Sequence, residues 1–200
     1  MKKFKGFTLI EMVVVLAVIA ILAAILTPTI AKNIRYSKVA RTTHECQVIA
    51  AAIGDFYKDM GRWPVYQNDN STTFYYELLY SQEGVWPTAN NSNWNGTGVA
   101  VDSFDNHLIL NKPGGSTANA YRTEDLAGVK LKAGYWRGPY LDEIREDQWG
   151  QRYEANIKYV TLANYATVVL SAGEDRNVST NFLLPVGSEV SEDDLAQKIR

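Results

Sequence analysis

Between Met12 and Ala31 the chain carries 20 consecutive residues without a charge, most of them Val, Leu, Ile and Ala. At ~1.5 Å of rise per residue such a run covers about 30 Å, the thickness of a bilayer's hydrocarbon core. The run therefore predicts a helix whose surroundings are not water. From Val39 the pattern becomes one-sided. Val39, Cys46, Ile49, Ala50, Ile53, Phe56 and Tyr57 fall largely at three- and four-residue steps, with Lys38, Arg41, Glu45, Asp55 and Lys58 between them. The two patterns together predict one helix from Phe7 to about Met60, about 80 Å long if continuous. Pro28 removes a backbone donor within it and predicts a kink or a locally melted turn, while Gly61 and Pro64 are stop signals.

Beyond Met60 the helical period disappears. Tyr153 to Tyr159 and Asn164 to Ser171 are rich in aromatic and β-branched residues, and Gly138-Pro139 and Trp149-Gly150 punctuate turns. The expected fold is α+β: a long N-terminal helix whose second half packs against a small antiparallel sheet of two or three strands, with a large inserted loop region. The segments read as 1–6, a leader; 7–31, a membrane or filament-core helix; 32–62, its amphipathic half; 63–135, an insertion; 136–187, a β region; and 188–200, a tail. Ser191-Glu192-Asp193-Asp194, followed by Lys198 and Arg200, matches the charge order of a short surface helix or a frayed terminus.

With 46% hydrophobic residues in 200, the chain is not mainly disordered. Its net charge of −2 becomes −5 once Lys2, Lys3 and Lys5 are removed. That balance argues against nucleic acid, as does the insertion, where Lys112, Arg122, Lys130 and Lys132 face Asp69, Glu77, Glu83, Asp102, Asp105, Glu124 and Asp125. The lone cysteine, Cys46, has no internal disulfide partner and reads as a small buried residue on the helix.

Glu11 is the residue out of place: a carboxylate at the edge of an apolar helix costs at least ~2.5 kcal/mol unless a partner meets it. The leader lysines precede it and favour retention on the cytoplasmic side. The candidate processing junction, Gly6-Phe7, comes before the apolar run, whereas a secretory signal peptide is cut after it. Gly6, Phe7, Thr8, Leu9, Ile10, Glu11 and Pro28 resemble the N-terminal signal of the type IV pilin superfamily, which includes the pseudopilins of type II secretion. The resemblance implies cleavage after Gly6 by a prepilin peptidase and N-methylation of Phe7. It also implies pairing of Glu11 with the Phe7 amino group of a neighbouring subunit. An uncleaved single-span anchor is the plainer alternative.

A second set of residues resembles the major pseudopilin of type II secretion systems: Phe56 to Pro64, Trp136 to Leu141, and Asp147 to Tyr153, with Gln148 where that family commonly has proline. Ser171-Ala172-Gly173-Glu174-Asp175 resembles its Ser-x-Gly-x-Asp calcium loop, making Ser171, Asp175 and Asn177 the candidate ligands. Thr180 and Asn181 stand near where later acidic ligands would fall. A turn without metal is the competing reading. The function implied is a structural subunit of a secretion pseudopilus. Its partners would be copies of itself, minor pseudopilins, the prepilin peptidase, and an inner-membrane platform with its ATPase. The location would be the bacterial inner membrane, single-pass, with the C-terminal domain periplasmic. A surface type IV pilus subunit, exposed outside the cell, and a filament-tip binding module are the alternatives.

The insertion holds Tyr75, Tyr76, Tyr80, Trp86, Trp94 and Tyr121. They would form either a recognition surface or a small subdomain with Leu78, Leu79, Leu108, Ile109 and Leu110. His44 and His107 have no companion ligand pattern. Four triplets, at Asn70, Asn90, Asn95 and Asn177, fit the short glycosylation pattern. Asp142-Glu143 and Glu146-Asp147 read as a solvated face or intersubunit contacts. No nucleophile, phosphate-loop or metalloprotease motif occurs, and no enzymatic activity is expected.

Overall fold

The computed structural model describes residues 6–68, 70–73, 75–89, 92–124, 134–191 and 193–199. The leader lysines, Asp69, Asn90, Asp125, Lys130, Lys132, Glu192 and Arg200 named above lie outside these. The chain divides into two compact units, residues 1–40 and 41–200.

The first unit is the beginning of helix α1, Leu9–Met60, 52 residues in all. It is unbroken at Pro28, so the melted turn expected there is not formed. Thr27, beside the proline, donates its hydroxyl to the Ala23 carbonyl at 2.7 Å, the local bond that lets a helical threonine avoid an unpaired polar group. Every residue from Gly6 to Ser37 is exposed.

The second unit contains the last turns of α1 and an α+β domain. Thr42, Cys46, Ile49, Ala52, Ile53, Phe56 and Met60 are buried, following the three- and four-residue steps of the sequence. Each large apolar side chain among them contributes roughly 1.5–3 kcal/mol by leaving water. Gly61 closes the helix with φ 68°, donating its N–H to the Tyr57 carbonyl at 2.8 Å. Tyr57 then stacks on Trp63 at 4.1 Å between ring centroids.

Among the described residues seven short strands follow: β1 Leu78–Tyr80, β2 Thr88–Ala89, β3 Val101–Ser103, β4 Glu154–Ala155, β5 Val168–Ser171, β6 Asn177–Val178 and β7 Leu195–Lys198. Five form one sheet in the order β3-β1-β4-β5-β7. It is mixed, not wholly antiparallel, because β1 and β3 run parallel with Leu78 opposite Val101. β2 and β6 make a second, parallel pair. The insertion does not form a subdomain of its own: it supplies two strands of the main sheet, and its Val65, Tyr76, Phe104, Leu108 and Tyr121 join the core built on α1.

Strand alternation divides the two faces. Leu79, Ala155 and Val169 are in register across β1, β4 and β5 and pack with Ile53 and Phe56. Leu78, Val168 and Leu170 face a second core with Trp94, Val178, Phe182 and Leu184. β4 is shorter than the Tyr153–Tyr159 run predicts because buried Asn156 bonds the Ala166 and Phe182 carbonyls and the Val168 N–H with its side chain. The chain then turns into a 3-10 helix, Ile157–Thr161. The tail is also corrected: residues 195–198 are the edge strand β7, antiparallel to β5, and not a helix.

Candidate functional site

At the start of α1, Thr8 and Glu11 bond each other reciprocally. The Thr8 N–H and hydroxyl both donate to Glu11 Oε2 at 2.7 Å, and the Glu11 N–H donates to Thr8 Oγ1 at 3.3 Å. This is a capping box, satisfying donors that a helix N-terminus leaves open. Gly6 and Phe7 stand just before it, and Phe7 is 83% exposed. Thus Gly6, Phe7 and Glu11 come together at one helix end, whereas Pro28 lies far along the helix. The capping role is readable in Thr8-x-x-Glu11 and stands beside the pairing with a neighbour's Phe7 that the resemblance implies for Glu11. The apolar stretch that follows is wholly unburied and, by length and composition, fit to cross a membrane once.

The loop joining β5 to β6 holds the other candidate residues. Ser171 is buried and donates its hydroxyl to Asp147 Oδ2 at 2.5 Å while accepting the Gly173 N–H at 3.1 Å. Asp175 is exposed, and its Oδ1 accepts the Asn177 N–H at 2.9 Å, the geometry of an Asx turn. The Asn177 amide donates to Ser179 Oγ at 3.3 Å, but its Oδ1 is buried without a partner among the described residues. The structure brings Asp175 and Asn177 together, with Ser171 turned inward to Asp147. Among the described residues no three His, Cys, Asp or Glu side chains converge as metal ligands.

Gly173 explains why this loop carries a glycine. Its φ is 71°, and a Cβ there would sit 2.5 Å from the Asp193 carbonyl. The tail passes that close because Asp194 anchors it. Asp194 Oδ2 accepts the Ser179 N–H at 3.1 Å, the Thr180 N–H at 2.7 Å and the Thr180 hydroxyl at 2.5 Å. Burial pushes the Asp194 carboxyl above its ordinary range against these bonds, which lower it. Glu154 on β4 is fully buried, and neither carboxylate oxygen has a hydrogen-bond partner among the described residues. Burial drives its carboxyl well above the usual range, opposed by Arg152 and reinforced by Asp194. The sequence does not single out Glu154, and it marks Asp194 only as an acid in the first turn of an expected tail helix. A buried acid between strand residues has no local signature, and Leu195-Ala196-Gln197-Lys198-Ile199 carries no period-two alternation that would mark the tail as a strand.

Asp147 is an interior hub, not part of a solvated face. It is 4% exposed, and its Oδ1 accepts the N–H groups of Trp149 and Gln151, each at 2.8 Å. Trp136 donates its indole N–H to the His107 carbonyl at 2.9 Å. His107 is buried in the core: Nδ1 lies 2.7 Å from the Tyr121 hydroxyl, and Nε2 lies 2.9 Å from Asp102 Oδ2 outside hydrogen-bond alignment. Burial pushes the Asp102 carboxyl up, but His107 together with bonds from Gly114 and Asn106 outweighs it and holds the group below its usual range. Of the six insertion aromatics, Tyr76, Trp94 and Tyr121 are buried core. Tyr80 and Trp86 flank the Arg152 guanidinium at 4.8 and 4.9 Å, leaving Tyr75 as the most exposed.

Residues 1–27 match the model of the prokaryotic N-terminal methylation motif. The chain is similar to the fimbrial protein EcpC of Eikenella corrodens, 38% identical over 60 residues. That match covers 30% of this chain and 39% of the relative, so the chain spans well under half of the curated protein it resembles. No solved structure matches it significantly.

Proposed function

We propose that this chain, a type IV pilin-like protein by its N-terminal methylation segment, is a structural subunit of a type II secretion pseudopilus. The carrying observation is an unburied apolar helix of membrane-spanning length that begins at a capped Glu11 beside Gly6-Phe7. Exposed apolar surface on this scale requires lipid or other copies of the same helix.

In this reading a prepilin peptidase cuts after Gly6 and Phe7 is methylated. The precursor spans the inner membrane once with residues 41–200 in the periplasm. Assembly exchanges lipid for neighbouring helices. Glu11, capped by Thr8 within the subunit, is then close enough in sequence to the new amino terminus to meet a neighbour's Phe7 in the filament. A carboxylate buried there without a cation would be strongly unfavourable. Minor pseudopilins, a membrane platform and its ATPase are the machinery proposed, and the chain itself performs no catalysis. Calcium in the Ser171–Asn177 loop is part of the same proposal. The oxygens left for it are the second oxygen of Asp175, Asn177 Oδ1 and backbone carbonyls, a hard-oxygen set suited to that ion.

The Trp136–Tyr153 block favours the secretion reading, and the fimbrial relative favours a surface pilus as the second. Immunogold against residues 65–134 on cells carrying the neighbouring assembly machinery separates them. Label on short periplasmic filaments supports the pseudopilus. Label along surface fibres establishes a pilus, and label confined to filament ends establishes a tip subunit.

A further inference from the structure

Charge is divided unevenly along this chain. From Met12 to Ala40 there are three cations, Lys32, Arg35 and Lys38, and no acid. Residues 41–200 hold 14 Lys and Arg against 21 Asp and Glu, so the domain is as plainly negative as the helix segment is positive. The three cations follow the apolar stretch at three-residue steps, which puts each beside the next on the helix surface and all three within about 9 Å along its axis. Lys32 and Arg35 are exposed and Lys38 is half-buried. On the domain, a polar depression of about 530 Å³ is lined by Arg41, Glu83, Glu143, Arg145, Glu146 and Asp147, among others. Its two arginines are engaged: Arg41 Nε lies 2.9 Å from Glu45 Oε1, and Arg145 meets both oxygens of Glu143 at 2.9 and 3.1 Å. Asp147 is spent inward on Trp149, Gln151 and Ser171. Glu83 and Glu146 are exposed and make no ion pair among the described residues, so the depression presents uncompensated negative charge.

We propose that the Glu83 and Glu146 depression of one subunit receives the Lys32–Lys38 segment of a second copy. The inference rests on the filament reading and names the contact that orders the copies. Packing apolar helices side by side draws the cations of neighbouring copies together, where like charges repel. Laying each positive segment against another copy's acids removes that repulsion. The long Lys and Arg stems let the charged heads reach into a depression while their methylenes stay against apolar surface. Two different patches meet in this contact, so every added copy leaves one patch of each kind open. A heterologous contact of that kind propagates into a filament instead of closing on a pair. Exposed ion pairs are individually weak and screened by salt, but the same set recurs at every subunit. Anionic lipid headgroups would also attract the three cations, yet they would leave Glu83 and Glu146 without a part in assembly.

The test is charge reversal, read as filament sedimented from cells that contain the assembly machinery. Arg35→Glu with Lys38→Glu should lose most of the filament, and so should Glu83→Lys with Glu146→Lys. A chain carrying all four changes should recover it, because both patches have exchanged sign. Wild-type yield from the Glu83→Lys, Glu146→Lys chain, or a fourfold variant no better than either pair, would overturn the contact. Loss confined to Arg35→Glu with Lys38→Glu would overturn it in favour of anionic headgroups. Should a reversed chain fail to fold, wild-type filaments treated with a carbodiimide, which joins an amine directly to a carboxylate, decide the question. They should yield covalent dimers linking Lys32 or Lys38 to Glu83 or Glu146, identified by mass spectrometry of the joined peptides. Wild-type filaments without such links would overturn this contact and leave the filament reading standing, whereas a wild-type chain that forms no filament would overturn both.

Discussion

Helix α1 lives in two environments. Over residues 9–37 its apolar side chains are exposed on every face, while from Thr42 to Met60 a single stripe is buried and the opposite side is mainly polar, with Val48 and Tyr57 on it. The difference is one of partner, not of helix propensity. The second stretch finds its apolar partner within the same chain, in Tyr121, Tyr140 and Val169. The first finds none among the described residues of its own unit, and apolar surface without a partner is a statement about lipid or neighbouring copies. Stability of the domain and assembly through the N-terminal helix should therefore separate experimentally.

The largest effect is expected at the junction. Gly6→Val should leave a precursor of full mass that does not enter filaments, while the melting of residues 41–200 is unchanged; mass spectrometry of a normally trimmed chain would remove the assigned junction. Next comes Glu11→Ala, which should be trimmed normally and yet give little filament by sedimentation. Wild-type filament yield would dissociate Glu11 from assembly. On the other side of the comparison, Phe56→Ala deletes a fully buried ring packed edge-on against Tyr121 and Tyr140. It should cost about 3–5 kcal/mol in denaturant unfolding, whereas Leu22→Ala in the exposed stretch should leave unfolding of the domain untouched.

Smaller effects sharpen the interior account. Asp147→Ala strands the N–H groups of Trp149 and Gln151 and the Ser171 hydroxyl, and should cost roughly 1–3 kcal/mol. The Asp102 carboxyl is held below its ordinary value in the folded protein. Its stabilising contribution is therefore complete above the unfolded carboxylate range and is lost as pH falls through the lower folded value. Acid unfolding of Asp102→Asn should accordingly be flatter than wild type in that window; identical acid limbs would mean that Asp102 is not held down.

What the sequence revealed follows the range of the interactions involved. The extent of α1, its Gly61 stop, the burial of Cys46 and the α+β class rest on local periodicity and appear as expected. The insertion was harder to read, because Leu78–Tyr80 and Val101–Ser103 become strands only by pairing with each other and with β4. The tail shows competition between two local signals. Its acidic start imitates a helix cap, but Asp194 spends its carboxylate on Thr180, and β5 offers an open edge to Leu195–Lys198. The tail is fastened by this latch and strand pairing, where a disulfide was out of reach for a chain with one cysteine. At the N-terminus the motif was visible, but the reciprocal bonds of Thr8 and Glu11 required the folded helix end.

The most direct test of the central claim is site-specific photocrosslinking from a benzophenone side chain at Leu22, exposed in the apolar stretch, in cells that contain the assembly machinery. If residues 9–37 are covered by copies of the same helix, illumination will produce a ladder of multiples of the chain, and Gly6→Val will abolish it. A chain crosslinked only to lipid, with the ladder absent in the trimmed wild type, would contradict the claim and leave a simple membrane anchor.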